Sequence, residues 1–407
     1  MFNDLNLMII GIDIRNIGKK RTGDEAVFFN LVKNLGKIDN VNNYKLFTDI
    51  QDAGILIDIT NRLGIGDKEN FEIVSLSLNP SPKGRGRNRF VWNFWTLPKY
   101  LRKNPVDVYH TQYITPFFMP KKVKIITTIH DISFNFYPQL IKFADLFFLK
   151  LLIPLSLKRA DKIIAVSEFT RSEIIKYYKI NDKKVVCAYN AISEDFSIPT
   201  TDNLPASPKF QRGEQLTTIR EKYNLPENYI LYVGTMQPRK NIPLLIKAYA
   251  KIKNKLPDIK LVLAGDKESH NFDKNIEIEI SKNNLKNDIV FPGYIEQKDL
   301  PYVFRLAKLF AFPSLYEGFG IPILEAMSQK VPVIISDIPV HREVAGDTAL
   351  YFDPANLDDF ANKIYNILTD EKLRNKLINS GASRVNFFSW RKSAEKLLAT
   401  YNSATQY

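Results

Sequence analysis

Short apolar runs alternate with helix-period patterns through both halves of this chain, and a polar, proline-rich stretch separates the halves. In the first half the runs fall at residues 7–14, 44–48, 71–76, 107–110, 123–129, 162–166 and 184–188. Helical patterns lie between several of them. In 23–35, Val27, Phe28, Leu31 and Leu35 share one face, and 168–178 repeats the period. The break at 197–215 holds Pro199, Pro205, Pro208 and Gly213 among many Ser, Thr and Asn. Apolar runs then resume at 229–234, 259–264, 288–291, 309–312, 333–336 and 349–352, and the chain ends in helical patterns at 370–384 and 389–401. Strands separated by helices pair in parallel and carry helices on the faces of the sheet. The expected class is α/β, with two Rossmann-like, doubly wound domains facing across a cleft. The expected divisions are an N-terminal domain at 1–198, a linker at 199–215 and a C-terminal domain at 216–386. Residues 387–407 are expected to form a helix that crosses back to the first domain.

Ligands of such sheets bind outside the carboxyl ends of the strands, and the most informative stretch sits at such an end. Residues 312–327 read Phe-Pro-Ser-Leu-Tyr-Glu-Gly-Phe-Gly-Ile-Pro-Ile-Leu-Glu-Ala-Met. Gly318 and Gly320 let backbone approach a ligand closely. Pro322 fits the first helical position, where its missing N–H loses nothing. The free amides of that helix start attract an anion. Glu317 and Glu325 flank this anion site, which suits a ligand carrying both phosphates and sugar hydroxyls, such as a nucleotide sugar. A simple dipole preference for acids near a helix start accounts for Glu325 alone. It does not account for Glu317 with Gly-Phe-Gly before a proline.

A second candidate lies at 233–241, Val-Gly-Thr-Met-Gln-Pro-Arg-Lys-Asn, between a strand and a helix. Arg239 offers a fork of donors and Lys240 a point charge, a pairing suited to a diphosphate. The plainer account is a solvated turn. The third is His130-Asp131-Ile-Ser-Phe at the end of a first-half strand, one of four histidines in the chain. Asp131 is placed to orient the ring, and the plainer account is a satisfied polar contact. Gly23, after Thr22 and before Asp24, opens a helix whose amides can floor a phosphate or acceptor site. An ordinary helix cap explains it equally.

Other features bound the chemistry. There is no Asp-x-Asp triad and no cluster of His or Cys, so no metal and no cofactor are expected. Phosphate-loop, dinucleotide-fingerprint and nucleophile-elbow patterns are missing too. The single cysteine, Cys187, fits a reducing compartment. The start Met1-Phe2-Asn3-Asp4 does not read as a signal peptide, and no run reaches the ~20 apolar residues that span a bilayer. A cytoplasmic protein is expected, peripheral at the inner face of the membrane.

The net charge is +13, and most of the excess lies in residues 1–200, with 29 basic and 20 acidic side chains. The densest patch, 83–103, interleaves Lys and Arg with Trp and Phe and contains no acid. Such a patch suits an anionic membrane surface. A solvated loop before a core-facing helix is the alternative, and nucleic acid is not an expected partner.

With these residues in hand, the chain resembles the retaining glycosyltransferases of family 4, of the GT-B fold. Glu317-Gly-Phe-Gly-Ile-Pro-Ile-Leu-Glu325-Ala is close to the family's paired-glutamate wording, as are Gly234-Thr-Met-Gln-Pro-Arg239-Lys240-Asn241 and Val344-Ala-Gly-Asp-Thr-Ala-Leu. Gly11-Ile-Asp13-Ile-Arg15, Thr22-Gly23, His130-Asp131-Ile-Ser-Phe134 and Val166-Ser-Glu-Phe-Thr-Arg171 fit in the first half. The resemblance implies an N-terminal acceptor domain and a C-terminal nucleotide-sugar donor domain. It implies that Arg239 and Lys240 hold the donor diphosphate, Glu325 the ribose, Glu317 the sugar near its 3- and 4-hydroxyls, and His130 the sugar near its 6-hydroxyl. Gly318, Phe319, Gly320 and Ile321 are implied to present backbone to the donor, with Gly23, Gly234 and Thr235 nearby. Thr235 stands where many members carry an arginine, and Gly23 stands alone where others have two glycines.

The Pro-Arg-Lys-Asn and His-Asp-x-Ser-Phe wording is similar to a mannosyltransferase subgroup of cell-surface polysaccharide assembly. It implies transfer of mannose from GDP-mannose, with retention and without metal, to a glycan or lipid-linked acceptor. A UDP-sugar donor, a nucleotide-sugar epimerase or a phosphorylase are rivals among enzymes. A non-catalytic sugar-binding protein is the rival from another class.

Overall fold

The computed structural model describes residues 7–18, 23–76, 91–196, 209–267 and 271–406. It divides into two compact units, one of residues 1–135, 143–190 and 389–407 and the other of 136–142 and 191–388. The first unit carries a seven-stranded sheet: β1 (Ile9–Asp13), β2 (Asn43–Thr48), β3 (Phe71–Ser75), β4 (Val108–Gln112), β5 (Lys124–Ile129), β6 (Lys162–Ala165) and β7 (Val185–Cys187). Their order is β3-β2-β1-β4-β5-β6-β7, and every pairing is parallel. The second unit carries six strands: β8 (Tyr229–Val233), β9 (Lys260–Ala264), β10 (Ile289–Gly293), β11 (Leu309–Phe312), β12 (Val333–Ser336) and β13 (Leu350–Phe352). Their order is β10-β9-β8-β11-β12-β13, again all parallel.

Sheets of this kind bury both faces, so their strands are continuous apolar runs. Ile10 and Ile12 in β1, Ile230 and Leu231 in β8 and Ile334 and Ile335 in β12 are all sealed from solvent. Chain order reverses between β1 and β4 and again between β8 and β11. A crevice opens at such a switch point, outside the strands' carboxyl ends. The closing helix Trp390–Thr405 packs on Gly23–Ile38 within the first unit. Its Tyr401 hydroxyl hydrogen-bonds His110 Nδ1 at 2.8 Å.

Four expectations change. A helix, Lys209–Lys222, begins inside the stretch read as linker. The proline-rich composition stops at Pro208, and Gly213 costs a helix only ~1 kcal/mol. Residues 136–142 belong to the second unit instead of the first. There Tyr137 donates to the Leu315 carbonyl at 3.3 Å, the Asn271 amide donates to the Leu140 carbonyl at 2.8 Å, and Phe136 stacks on Tyr316. The unit boundaries otherwise fall at 190/191 and 388/389. Pro322 takes the second place of its helix, Ile321–Ser328, because Ile321 already has helical geometry. Its missing N–H still falls among those without an intrahelical partner.

Of the basic-aromatic stretch, 83–90 lies outside the described residues. The rest forms a wide turn, Trp92–Thr96, and a helix, Leu97–Lys103. Trp92, Leu97 and Leu101 enter a core with Phe47, Val74 and Tyr109, while Trp95 points outward.

Candidate active site

Loops leaving β8 and β11 build a compact ionic cluster in the second unit. The two strands are hydrogen-bonded neighbours, so residues just past their ends meet. Beyond β8 the chain passes Gly234 and Thr235 into a single turn, Pro238–Lys240, and then the helix Ile242–Lys253. Thr235 O accepts from the Tyr232 hydroxyl at 2.8 Å. A Cβ on Gly265, which follows β9, would lie 2.1 Å from the Gly234 carbonyl oxygen, so only glycine lets these two loops touch. Beyond β11, the Leu315 amide donates to the Arg239 carbonyl at 2.9 Å. Arg239 Nη1 donates to the Tyr316 carbonyl at 3.2 Å and to Glu317 Oε2 at 3.3 Å. Lys240 Nζ pairs with Glu317 Oε1. Its ammonium also stands 5.2 Å from the Phe312 ring centroid.

Lys240 and Glu317 are both buried. Burial pushes the Glu317 carboxyl upward, but the charges of Lys240 and Arg239 more than reverse this and hold its pKa at about 2. Glu317 is therefore an anion that only accepts hydrogen bonds. Gly318, Phe319 and Gly320 are buried and Ile321 is half-buried. Gly320 has φ 97°, a left-handed conformation that turns the chain into the helix Ile321–Ser328. Glu325 is the fifth residue of that helix and is buried.

Sequence reasoning did not single out His341, which is fully buried in the helix Pro339–Ala345 after β12. Nδ1 lies 2.9 Å from the Ser336 carbonyl, which only accepts, so Nδ1 carries the proton. Its ring centroid is 5.7 Å from that of Phe312. Burial lowers its pKa to about 4, against the opposing pull of Glu317, so the ring is neutral. Its only sequence signal is its place at a strand-to-helix turn.

The first unit brings a different set together. His130 follows β5, and its Nε2 lies 3.0 Å from Oε1 of Gln112, the last residue of β4. Nδ1 lies 3.9 Å from Asp24 Oδ1, and the ring is 5.4 Å from that of Tyr113. The expectation that Asp131 orients the ring is corrected. Asp131 Oδ1 accepts from the Ser133 amide at 3.0 Å and its hydroxyl at 2.8 Å, capping the next turn, and Gln112 holds the imidazole. Gly23 opens its helix on the surface, and a Cβ there would meet nothing within 4 Å. Thr22 and His270 lie outside the described residues.

Beside β1, Asp13 and Arg15 form a buried ion pair at 2.6 Å, and Arg15 also donates to Asn93 Oδ1 at 3.2 Å and lies over Trp92. Burial pushes Asp13 upward, and Arg15 overcomes it, leaving a carboxylate below the usual range. Among the described residues, no three of His, Cys, Asp or Glu gather in a group that could hold a metal ion. No described helix is long and apolar enough to cross a membrane.

Comparison with known proteins identifies the family and the fold. The family described as "Glycosyltransferase Family 4" matches residues 58–196, and "Glycosyl transferases group 1" matches 216–384. The chain is 32% identical over 291 residues to the O-antigen chain mannosyltransferase B of Escherichia coli, covering 70% of this chain and 72% of that one. It is 30% identical over 253 residues to the serotype-specific mannosyltransferase WbdA of the same organism, covering 61% of this chain but only 29% of WbdA. The crystal structure of a glycosyltransferase from Rickettsia africae superimposes with a TM-score of 0.70 at 22% identity, over 98% of this chain and 99% of that one. The chain belongs to glycosyltransferase family 4, has the GT-B fold and is a hexosyltransferase.

Proposed function

We propose that this enzyme transfers mannose from GDP-mannose to a hydroxyl of a glycan or lipid-linked acceptor, with retention at the anomeric carbon and without a bound metal. The observation that carries the reading is the cluster of half-buried Arg239 with buried Lys240 and Glu317 beside the start of the helix Ile321–Ser328. Relatives named as mannosyltransferases support the choice of sugar.

In this reading Arg239 and Lys240 turn from Glu317 toward the donor diphosphate. The C1–O bond to the phosphate breaks, and the leaving group gains a negative charge that both cations and the helix amides stabilise. The acceptor oxygen bonds to C1 on the same face, and its proton passes to the departing phosphate oxygen. Glu317 accepts from sugar hydroxyls, Glu325 holds the ribose, and Gly318, Phe319, Gly320 and Ile321 present backbone. Gly234 and Thr235 line the diphosphate side. His130 holds the transferred sugar, with Gly23 at the floor of the acceptor side. The enzyme works in the cytoplasm, with 83–103 contacting the anionic inner face of the membrane.

Thermal shift with GDP-mannose, UDP-glucose and UDP-N-acetylglucosamine tests the donor, because a ligand of the folded state must raise the melting temperature. GDP-mannose is expected to give the largest rise. Proton NMR of the glycosylated product then reads the anomeric configuration, and turnover after chelation is expected to stay unchanged. A larger shift with a UDP-sugar, an inverted product or acceptor-free epimerisation would each overturn the corresponding part.

A further inference from the structure

The helix Gly23–Ile38 turns two residues of one face toward His130. Asp24 and Phe28 are four apart, so they stand one above the other. Phe28 is buried, with its ring centroid 6.5 Å from that of His130. Asp24, one turn nearer the helix start, is partly exposed. The Tyr113 ring centroid stands 5.4 Å from that of the imidazole. Tyr113 itself is held at φ 55°, left-handed backbone that a bulky side chain rarely adopts, and its amide donates to the Thr128 carbonyl at 3.0 Å. Strain of this kind persists where the surrounding structure fixes it, and it collects at ligand sites.

One ring nitrogen of His130 is already engaged. Gln112 Oε1 lies 3.0 Å from Nε2 and also accepts from the Asn16 amide at 3.4 Å, so Nε2 carries a proton. Nδ1 is left facing the Asp24 carboxylate at 3.9 Å. That separation is too long for a direct hydrogen bond, and it is one that a third polar atom spans. A hydroxyl oxygen ~2.8 Å from each makes both contacts at nearly a right angle. A hydroxyl gives one proton and accepts another. Here it gives its own to the carboxylate, which only accepts, and takes that of Nδ1 from a ring protonated at both nitrogens.

We propose that Asp24 is a specificity-determining residue that, with His130, clamps the 6-hydroxyl of the transferred hexose and so rejects the 6-deoxy sugar. It rests on the reading above that His130 holds that sugar, and adds the carboxylate to the contact. A methyl group in place of the hydroxymethyl gives neither Nδ1 nor Asp24 a partner. A site built to bond a hydroxyl discriminates against the analogue lacking it, because its own polar groups are then stranded. Water reaches the partly exposed Asp24 and moderates this loss. An acid that served only the dipole of its helix start would show no dependence on the sugar.

Isothermal titration of the full chain with GDP-mannose and with GDP-6-deoxymannose tests this. The wild type is expected to bind the hexose donor ~100-fold more tightly. Asp24→Ala is expected to weaken GDP-mannose binding ~10-fold and leave the 6-deoxy donor unchanged, so that the preference shrinks to ~10-fold. Asp24→Asn keeps an acceptor oxygen without the charge and is expected to fall between. An effect on folding or on the helix start alone weakens both donors alike, so the ratio separates it from the clamp.

Equal wild-type affinity for the two donors, or a preference that Asp24→Ala leaves unchanged, would overturn the proposal. The same titrations with UDP-glucose and UDP-6-deoxyglucose keep it apart from the choice of donor. If only the UDP-sugars bound, and Asp24→Ala reduced their discrimination, the GDP-mannose reading would fall and the clamp would stand. Binding of neither pair would overturn both.

Discussion

Both units build their clusters outside the carboxyl ends of neighbouring parallel strands, but give them different electrostatics. In the second unit, neighbouring strands β8 and β11 deliver two cations and a carboxylate into one cluster. In the first, neighbouring strands β4 and β5 deliver an amide and an imidazole, joined by a hydrogen bond at 3.0 Å. The first unit's buried ion pair, Asp13 with Arg15, is held by Asn93 and Trp92. In the proposed reading, the surplus positive charge of one cluster suits a leaving diphosphate and the amide–imidazole pair of the other suits an uncharged hydroxyl. Similar sheets thus serve different ligand chemistry through the loops at one end.

Removing a partner on each side gives the largest contrast. Lys240→Ala leaves Glu317 buried beside Arg239 alone. It is expected to cost about 3–5 kcal/mol of stability and ~100- to 1000-fold in kcat. Lys240→Met with Glu317→Leu is expected to recover most of the stability in urea denaturation and none of the turnover. His130→Ala removes the hydrogen bond to Gln112. It is expected to cost about 1 kcal/mol of stability and ~10-fold in kcat/KM. If His130→Ala proved the more damaging to both, the contrast between the units would fail.

What could be read beforehand follows the range of the forces involved. The strands β11 and β12 fall where the apolar runs place them, because strands buried on both faces leave unbroken runs. Arg239, Lys240 and Glu317 were legible because each sits within a few residues of a strand end, beside glycine or proline. Gln112 was not, since its role depends on register with β5, eighteen residues away from His130. Asp131 shows the converse: adjacency in sequence pairs it with the ring, but the turn's own amide and hydroxyl at Ser133 claim the carboxylate. The affiliation of 136–142 depends on contacts with Asn271 and Leu315, which no local pattern announces.

Each unit also hides a histidine that resists protonation, which makes acid a milder probe of both. Burial lowers His110 to about 3, with His130 opposing its charge further, while its nitrogens engage Tyr401 and Thr128. His341 is lowered to about 4. An unfolded histidine takes its proton near pH 6.5. Below that, the unfolded chain binds more protons than the folded one, so stability falls by about 1.4 kcal/mol per pH unit for each histidine. The loss from His341 stops growing below pH 4, and that from His110 below pH 3. Glu317 has the other sign of shift: its contribution is complete above pH 4.5 and is lost as the pH falls through 2. Between pH 6.5 and 5 the histidines therefore act without it. Urea midpoints at pH 7 and pH 5 are expected to converge in His110→Gln and His341→Gln. An unchanged gap in both variants would refute the assignment.

The smallest contrast sets two glycines against each other. Gly320 turns the chain into the helix Ile321–Ser328 at φ 97°, and a Cβ there would stand 3.0 Å from Ile323 Cδ1. Alanine at such a φ costs about 1–2 kcal/mol, and Ile323 Cδ1, at the end of a flexible side chain, can give way. Gly23 also opens a helix, but its Cβ position faces open space, so alanine there is expected to change stability by ~0.5 kcal/mol or less. Donor affinity sharpens the test. Gly320 sets the direction of helix amides beside Glu317, so Gly320→Ala is expected to weaken GDP-mannose binding as well as stability, and Gly23→Ala to leave donor binding intact. Isothermal titration of both variants separates backbone direction from bulk. Equal affinities would mean that the helix start in the second unit does not hold the phosphates and that Arg239 and Lys240 act alone.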